Sequence, residues 1–238
     1  MSQVNPIILA LDVESATEAL SLADRIGGCV DFYKIGMELY AAEGPAIVRE
    51  LRARGKDVFL DLKFYDIGET VKRAVAQVVR LGVRFLTVHA SKAVMEAAVS
   101  GCGGSDLKLL AVTVLTSVDQ KDLEDDGYAR TVSDLVTLRV RNAIAAGIDG
   151  IVASPLEAAS IRAMTGAAAI LVTPGVRSAG AGHGDQKRVA TPAEAIRSGA
   201  NYIVVGRQIT RAADPGAAAR DILEEVASVY RSAPPDSL

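Results

Sequence analysis

The sequence predicts an α/β protein folded as one (β/α)8 barrel of the TIM type. Three observations carry this expectation. Eight short runs rich in Val, Ile and Leu recur along the 238 residues, and amphipathic helical stretches separate them. The runs are apolar nearly throughout, as strands of a parallel sheet covered on both faces must be. The length suits a single barrel, and a 50% hydrophobic composition supplies a core of that size.

The elements follow in order. The first strand, IILALD (7–12), leads into SATEALSLADRIGG, and the second, DFYKIG (31–36), into GPAIVRELRARG. VFLDLK (58–63) precedes GETVKRAVAQVVRLG, and RFLTVHA (84–90) precedes KAVMEAAVSG. The fifth strand, LKLLAVTVL (107–115), is parted from TVSDLVTLRVRNAIAAG by a long interruption containing SVDQKDLEDDGYAR. DGIVAS (149–154) joins PLEAASIRAM, and AAILVT (168–173) reaches TPAEAIRSG only after a second long loop, PGVRSAGAGHGDQKRVATP. NYIVVG (201–206) and DPGAAARDILEEVASVYRS complete the series. Several helices end in Gly, a common C-terminal stop. The single domain spans 1–238, with a frayed tail expected from about residue 232. Both long loops follow strand C-termini, the end at which such barrels carry their chemistry.

Composition narrows the function. Aromatics make up 4% and Trp is absent, so an aliphatic core is expected. A net charge of −3 gives no electrostatic footprint for nucleic acid or a membrane surface. Cys29 and Cys102 lack metal-site spacing and fit a reducing compartment. No basic segment precedes an apolar stretch at the N-terminus, and no apolar run approaches the roughly 18 residues of a membrane span. A cytoplasmic setting is expected.

The informative charges end strands. Side chains two apart share a strand face. Ile8, Ala10 and Asp12 therefore share one, as do Phe32 and Lys34, and Phe59, Asp61 and Lys63. If these faces line the barrel, Asp12, Lys34, Asp61 and Lys63 converge at its mouth from three successive strands. Buried charges are tolerated when paired, and alternating signs meet that condition. Asp66 lies beyond the strand, where it could serve chemistry or stabilise a helix N-terminus, and Thr70 follows in that helix.

A second group of residues suits an anion. Gly206 and Arg207 follow the last strand, where barrels often hold phosphate. Arg offers a fork of donors, and Gly permits close backbone approach. In the loop after strand seven, Pro174 and Gly175 turn the chain, Arg177 follows, and Gly180, Gly182 and Gly184 permit movement. Gln186 could then cover a ligand on closure. Thr116 and Ser154 end strand-like runs and can hydrogen-bond a ligand, while His89 either lines the mouth or packs at the rim. His89 and His183 lie too far apart in sequence to suggest a metal site. No Ser/His/Asp triad or dinucleotide fingerprint is present.

These motifs resemble one family. LDLKFYDIGET resembles the D-x-K-x-x-D-I signature of orotidine 5′-phosphate decarboxylases, and LALDV, YKIGMEL, VTVLTS, ASPLE, TPGVR and IVVGRQIT occur in that family's order. Gly68 and Glu69 stand where the family often has Pro and Asn. The resemblance implies decarboxylation of orotidine 5′-monophosphate to uridine 5′-monophosphate, with no metal and no organic cofactor. It implies a homodimer with shared sites, in which Lys34, Asp61 and Lys63 meet Asp66, Ile67 and Thr70 of the partner subunit. Asp12 and Lys34 would contact the ribose, Thr116 and Ser154 would lie near the base or the closing elements, and Pro174 would be among the substrate contacts. Gln186, Gly206 and Arg207 would hold the phosphate, and Arg177 would sit beside them. The D-x-K-x-x-D core also occurs in metal-dependent sugar-phosphate decarboxylases and synthases, which form the alternative. A Schiff-base aldolase using Lys63 and a non-catalytic phosphate-binding barrel are further alternatives.

Overall fold

All five residues of β1 (Ile7–Leu11) are buried, the pattern of a strand covered on both faces. The computed structural model describes residues 5–178 and 190–232. In it, β1 pairs in parallel with β2 (Phe32–Ile35) and with β8 (Tyr202–Val205), and the strands close in sequence order into a barrel. The others are β3 (Asp57–Phe64), β4 (Phe85–His89), β5 (Lys108–Val112), β6 (Gly150–Val152) and β7 (Ile170–Thr173). All eight expected strands are present. No helix among the described residues is long and apolar enough to cross a membrane.

Helices cover the outside. They are α1 (Ala16–Ile26), α2 (Met37–Glu43), α3 (Pro45–Ala53), α4 (Gly68–Val79), α5 (Lys92–Cys102) and α6 (Gln120–Asp125), then α7 (Val132–Ala146), α8 (Ala158–Thr165), α9 (Pro192–Arg197), α10 (Arg207–Thr210) and α11 (Pro215–Ser232). Side-chain caps start several of them. Ser15, Thr131 and Thr191 each accept a backbone N–H from the first turn. Two helices were not expected. Short α2 fills the turn after β2, and α6 lies inside the interruption after β5, where Asp119 and Asp122 cap each other reciprocally.

The strand faces divide as alternation requires. Leu9, Leu11, Tyr33, Ile35, Val58 and Leu60 pack outward under the helices. Ile8, Ala10, Phe32, Phe59, Phe85 and Tyr202 are among those that point inward. The outer layer is aliphatic as composition suggests, but the barrel interior is not. Phe32, Phe59, Phe85 and Tyr202 meet edge-on, with centroids 5.0 to 5.9 Å apart. Few aromatics are present, and four of them are concentrated in this plug. Beneath it, the Arg84 guanidinium lies 5.2 Å from the centre of Phe32 and donates to Asp57 and to the Tyr202 hydroxyl, both at 2.8 Å. The plug closes one end of the barrel and leaves the C-terminal end of the strands for the site.

Candidate active site

Register alone brings three strands to one point. Ala10 pairs with Lys34, and Lys34 with Phe59, so the next inward positions are Asp12 and Asp61. The Lys34 Nζ donates to Asp12 Oδ1 at 3.0 Å and lies 3.8 Å from Asp61 Oδ2. Lys63 Nζ donates to the other Asp61 oxygen at 2.9 Å. The four side chains thus form a chain of alternating sign, Asp12–Lys34–Asp61–Lys63, as the sequence pattern suggests. Burial deepens toward its middle, where the Lys34 and Asp61 side chains retain 11% and 15% of their exposure. Each inner ion has an opposite partner, which offsets the cost of leaving water.

Lys63 reaches the array through an irregular stretch of β3. Leu60 pairs with Leu86, but the next pair is Phe64 with Val88, so β3 bulges across 61–63. Lys63 takes φ 48, the only positive φ outside glycine among the described residues. The kink keeps Leu62 and Phe64 against the outer core and swings the Lys63 ammonium onto Asp61. Thr87 in β4 completes the arrangement. Its hydroxyl accepts the Lys63 backbone N–H at 2.9 Å and donates to Asp61 Oδ1 at 2.8 Å. Sequence reasoning missed Thr87, although Phe85, Thr87 and His89 share a strand face and Phe85 points inward.

Two cavities meet over this array. A cavity of about 190 Å³ is walled by Phe59, Val112, Val114 and Val152, with Asp61 and Lys63 on one side and Thr116 at its edge. Apolar walls lower the local dielectric and strengthen each charge interaction inside. A cavity of about 580 Å³ adjoins it through Lys34, Pro174 and Val204. That larger space carries Asp12, Arg177, Gly206 and Arg207, together with Arg211 and Glu38, which the sequence reading did not include. Its rim is pinned next to the long loop. Val176 bridges Ala190, and Ser178 hydrogen-bonds Gln208 and Glu225. Gln186 lies outside the described residues, as do His183 and the residues beyond Ser232.

Other expected residues sit elsewhere. Asp66, Ile67 and Thr70 line neither cavity of their own chain. The Asp66 carboxylate accepts the Ile67 N–H at 2.6 Å, while Ile67 is the N-cap of α4 and 73% exposed. Ser154 is fully buried, and its hydroxyl accepts the Leu156 N–H as part of a reciprocal cap with Glu157. His89 ends β4 half-buried, with its ring 4.7 Å from Tyr65 and a buried Nδ1 that meets no partner. Burial, and secondarily the charge of Arg139, lower its pKa from the ordinary imidazole value. Among the described residues, no group of three His, Cys, Asp or Glu side chains could hold a metal ion.

Fold and site together define a barrel lyase class: an ionic centre beside a small apolar cavity, with a guanidinium-lined space for an anionic group next to it. The chain belongs to the orotidine 5′-phosphate decarboxylase / HUMPS family, whose model matches residues 5–222, and it is a decarboxylase. It is 52% identical over 232 residues to an orotidine 5′-phosphate decarboxylase of Rhodopseudomonas palustris (strain HaA2), covering 95% of this chain and 99% of the relative. It is 55% identical to one from Methylobacterium sp. (strain 4-46), over 93% and 95% of the two chains. The crystal structure of orotidine 5′-phosphate decarboxylase from Lactobacillus acidophilus superposes with a TM-score of 0.82 at 35% identity, covering 93% of this chain and 98% of that one.

Proposed function

We propose that the chain converts orotidine 5′-monophosphate to uridine 5′-monophosphate and carbon dioxide, with Lys63 as proton donor and without a metal. The observation that carries this reading is the continuous ion array bordering an apolar cavity that opens into a cation-lined one. The smaller cavity suits the pyrimidine, and the larger suits ribose and phosphate. Loss of carbon dioxide from the ring carbon leaves an electron pair in the ring plane, outside the π system. No imine can delocalise it, so stabilisation has to be electrostatic. Lys63 hydrogen-bonds Asp61 and lines the small cavity, so it can stabilise that charge and then protonate the carbon. Asp61 is fixed where the substrate carboxylate would sit, and departure of the carboxylate relieves their repulsion. Asp12 and Lys34 hold the ribose end, and Arg177, Gly206, Arg207 and Gln186 hold the phosphate.

The site is proposed to be completed by Asp66, Ile67 and Thr70 of the partner subunit in a homodimer. The support is their position. All three follow β3, at the end of the barrel that carries the ion array, yet none lines either of the two cavities described above. Tyr65 and Ile67 are also unusually exposed for apolar side chains, at 68% and 73%.

The test follows the absorbance of orotidine 5′-monophosphate on adding purified protein, with and without a chelator. Wild type is expected to turn over equally in both. Lys63→Ala should lose on the order of 10²-fold or more while still binding uridine 5′-monophosphate. Near-normal turnover of the variant would remove Lys63 from the chemistry, and loss of activity with chelator would favour the metal-dependent sugar-phosphate reading.

A further inference from the structure

We infer that Thr87 is a positioning residue for the decarboxylation, acting through Lys63 and Asp61; the inference rests on the proposed roles of those two side chains. Thr87 is fully buried and belongs to a neighbouring strand, so its hydroxyl is held by the barrel and not by the bulge it supports. That hydroxyl has one proton, and the proton is directed to Asp61 Oδ1 at 2.8 Å. A lone pair on the same oxygen accepts the Lys63 backbone N–H at 2.9 Å. One atom therefore fixes both halves of the central ion pair.

The need for such an atom comes from the backbone. Parallel pairing of β3 with β4 lapses between Leu60 and Phe64, so the Lys63 N–H has no ladder carbonyl. Lys63 also sits at φ 48, where a lysine has no intrinsic preference to be. The Thr87 oxygen takes the place of the missing carbonyl and stabilises the kink that aims the ammonium. Its donated bond selects the Asp61 oxygen that also accepts Lys63 Nζ at 2.9 Å, and leaves the other oxygen toward Lys34. Serine keeps this hydroxyl, whereas valine keeps the shape of threonine without it.

The test compares Thr87→Val and Thr87→Ser with wild type. Thr87→Val should lower kcat roughly 10- to 100-fold, the size expected from one hydrogen bond to a charged group. KM and uridine 5′-monophosphate binding should stay within about threefold, because neither cavity is lined by Thr87. Thr87→Ser should recover most of the loss. Crystal structures supply a readout independent of catalysis: in Thr87→Val, Lys63 should leave φ near 48 or its Nζ should move beyond salt-bridge reach of Asp61. The inference is overturned if Thr87→Val keeps wild-type geometry at positions 61 and 63, or if Thr87→Ser is as slow as Thr87→Val. A displaced Lys63 with undiminished turnover would instead count against the role given to Lys63, and would leave the hydroxyl's structural effect standing.

Discussion

Lys63 illustrates what a single residue contributes and what its sequence context conceals. Its identity and its nearness to Asp61 are legible from the D-x-K spacing. Its backbone is not, because nothing in "LDLKF" marks a kink, and lysine is a poor choice for one. The conformation persists because Asp61 and Thr87 together over-determine it. A prediction separates backbone from side chain. Lys63→Gly and Lys63→Ala both delete the ammonium, so they differ only in what φ 48 demands. Alanine is ordinarily the more stabilising of the two, through its smaller unfolded-state entropy. Here the order should reverse, with the glycine variant more stable by about 1 kcal/mol, since only alanine meets the left-handed penalty. Urea denaturation of the two purified variants measures this directly, and a more stable alanine variant would show that position 63 carries no strain.

At the scale of elements, hydrophobic pattern read best where segments are long. Each strand was legible because barrel strands are apolar on both faces, and α4, α7 and α11 run long enough to show helical spacing. The elements α2 and α6 span only Met37–Glu43 and Gln120–Asp125, too short for periodicity to stand out from the surrounding loop. At Ser154 the strand end was legible but the cap was not: its hydroxyl accepts the first N–H of the following helical turn. Close packing of neighbouring helices was also hidden. A Cβ built on Gly101 would lie 2.5 Å from the Lys72 carbonyl oxygen and 3.0 Å from the Val75 side chain, so α5 rests directly on α4. Elsewhere in a helix, glycine to alanine adds stability. Gly101→Ala should instead cost about 1–3 kcal/mol, because the obstacle is backbone and cannot rotate away. Thermal unfolding would reveal this, and an unchanged or higher Tm would mean that the α4–α5 contact yields easily. Since α4 begins three residues after Tyr65, the same variant also tests how firmly the proposed dimer face is held.

Over the whole molecule, the barrel separates its charges by end. Arg84, Asp57 and Arg52 close the floor with mutual ion pairs, and the Asp12–Lys34–Asp61–Lys63 array opens onto the mouth. Strand direction was enough to foresee the second group, since parallel strands place all their C-terminal ends together. What one chain's pattern cannot reveal is a residue whose target lies on another copy. Asp66 is the case in point: it follows Lys63 by three positions, yet among the described residues its carboxylate accepts a local backbone N–H and lines neither cavity. If the proposed two-chain site is correct, two inactive variants should repair each other. Lys63→Ala dimers lack the ammonium in both sites, and Asp66→Ala dimers lack the partner carboxylate in both. Mixing equal amounts after reversible dissociation makes half the dimers mixed. Each mixed dimer joins one site lacking both groups to one site lacking neither, so about a quarter of the wild-type activity should appear under two-fold symmetry. A mixture no more active than its separate components, with subunit exchange verified by mass, would return Asp66 to its own chain and dissolve the shared site.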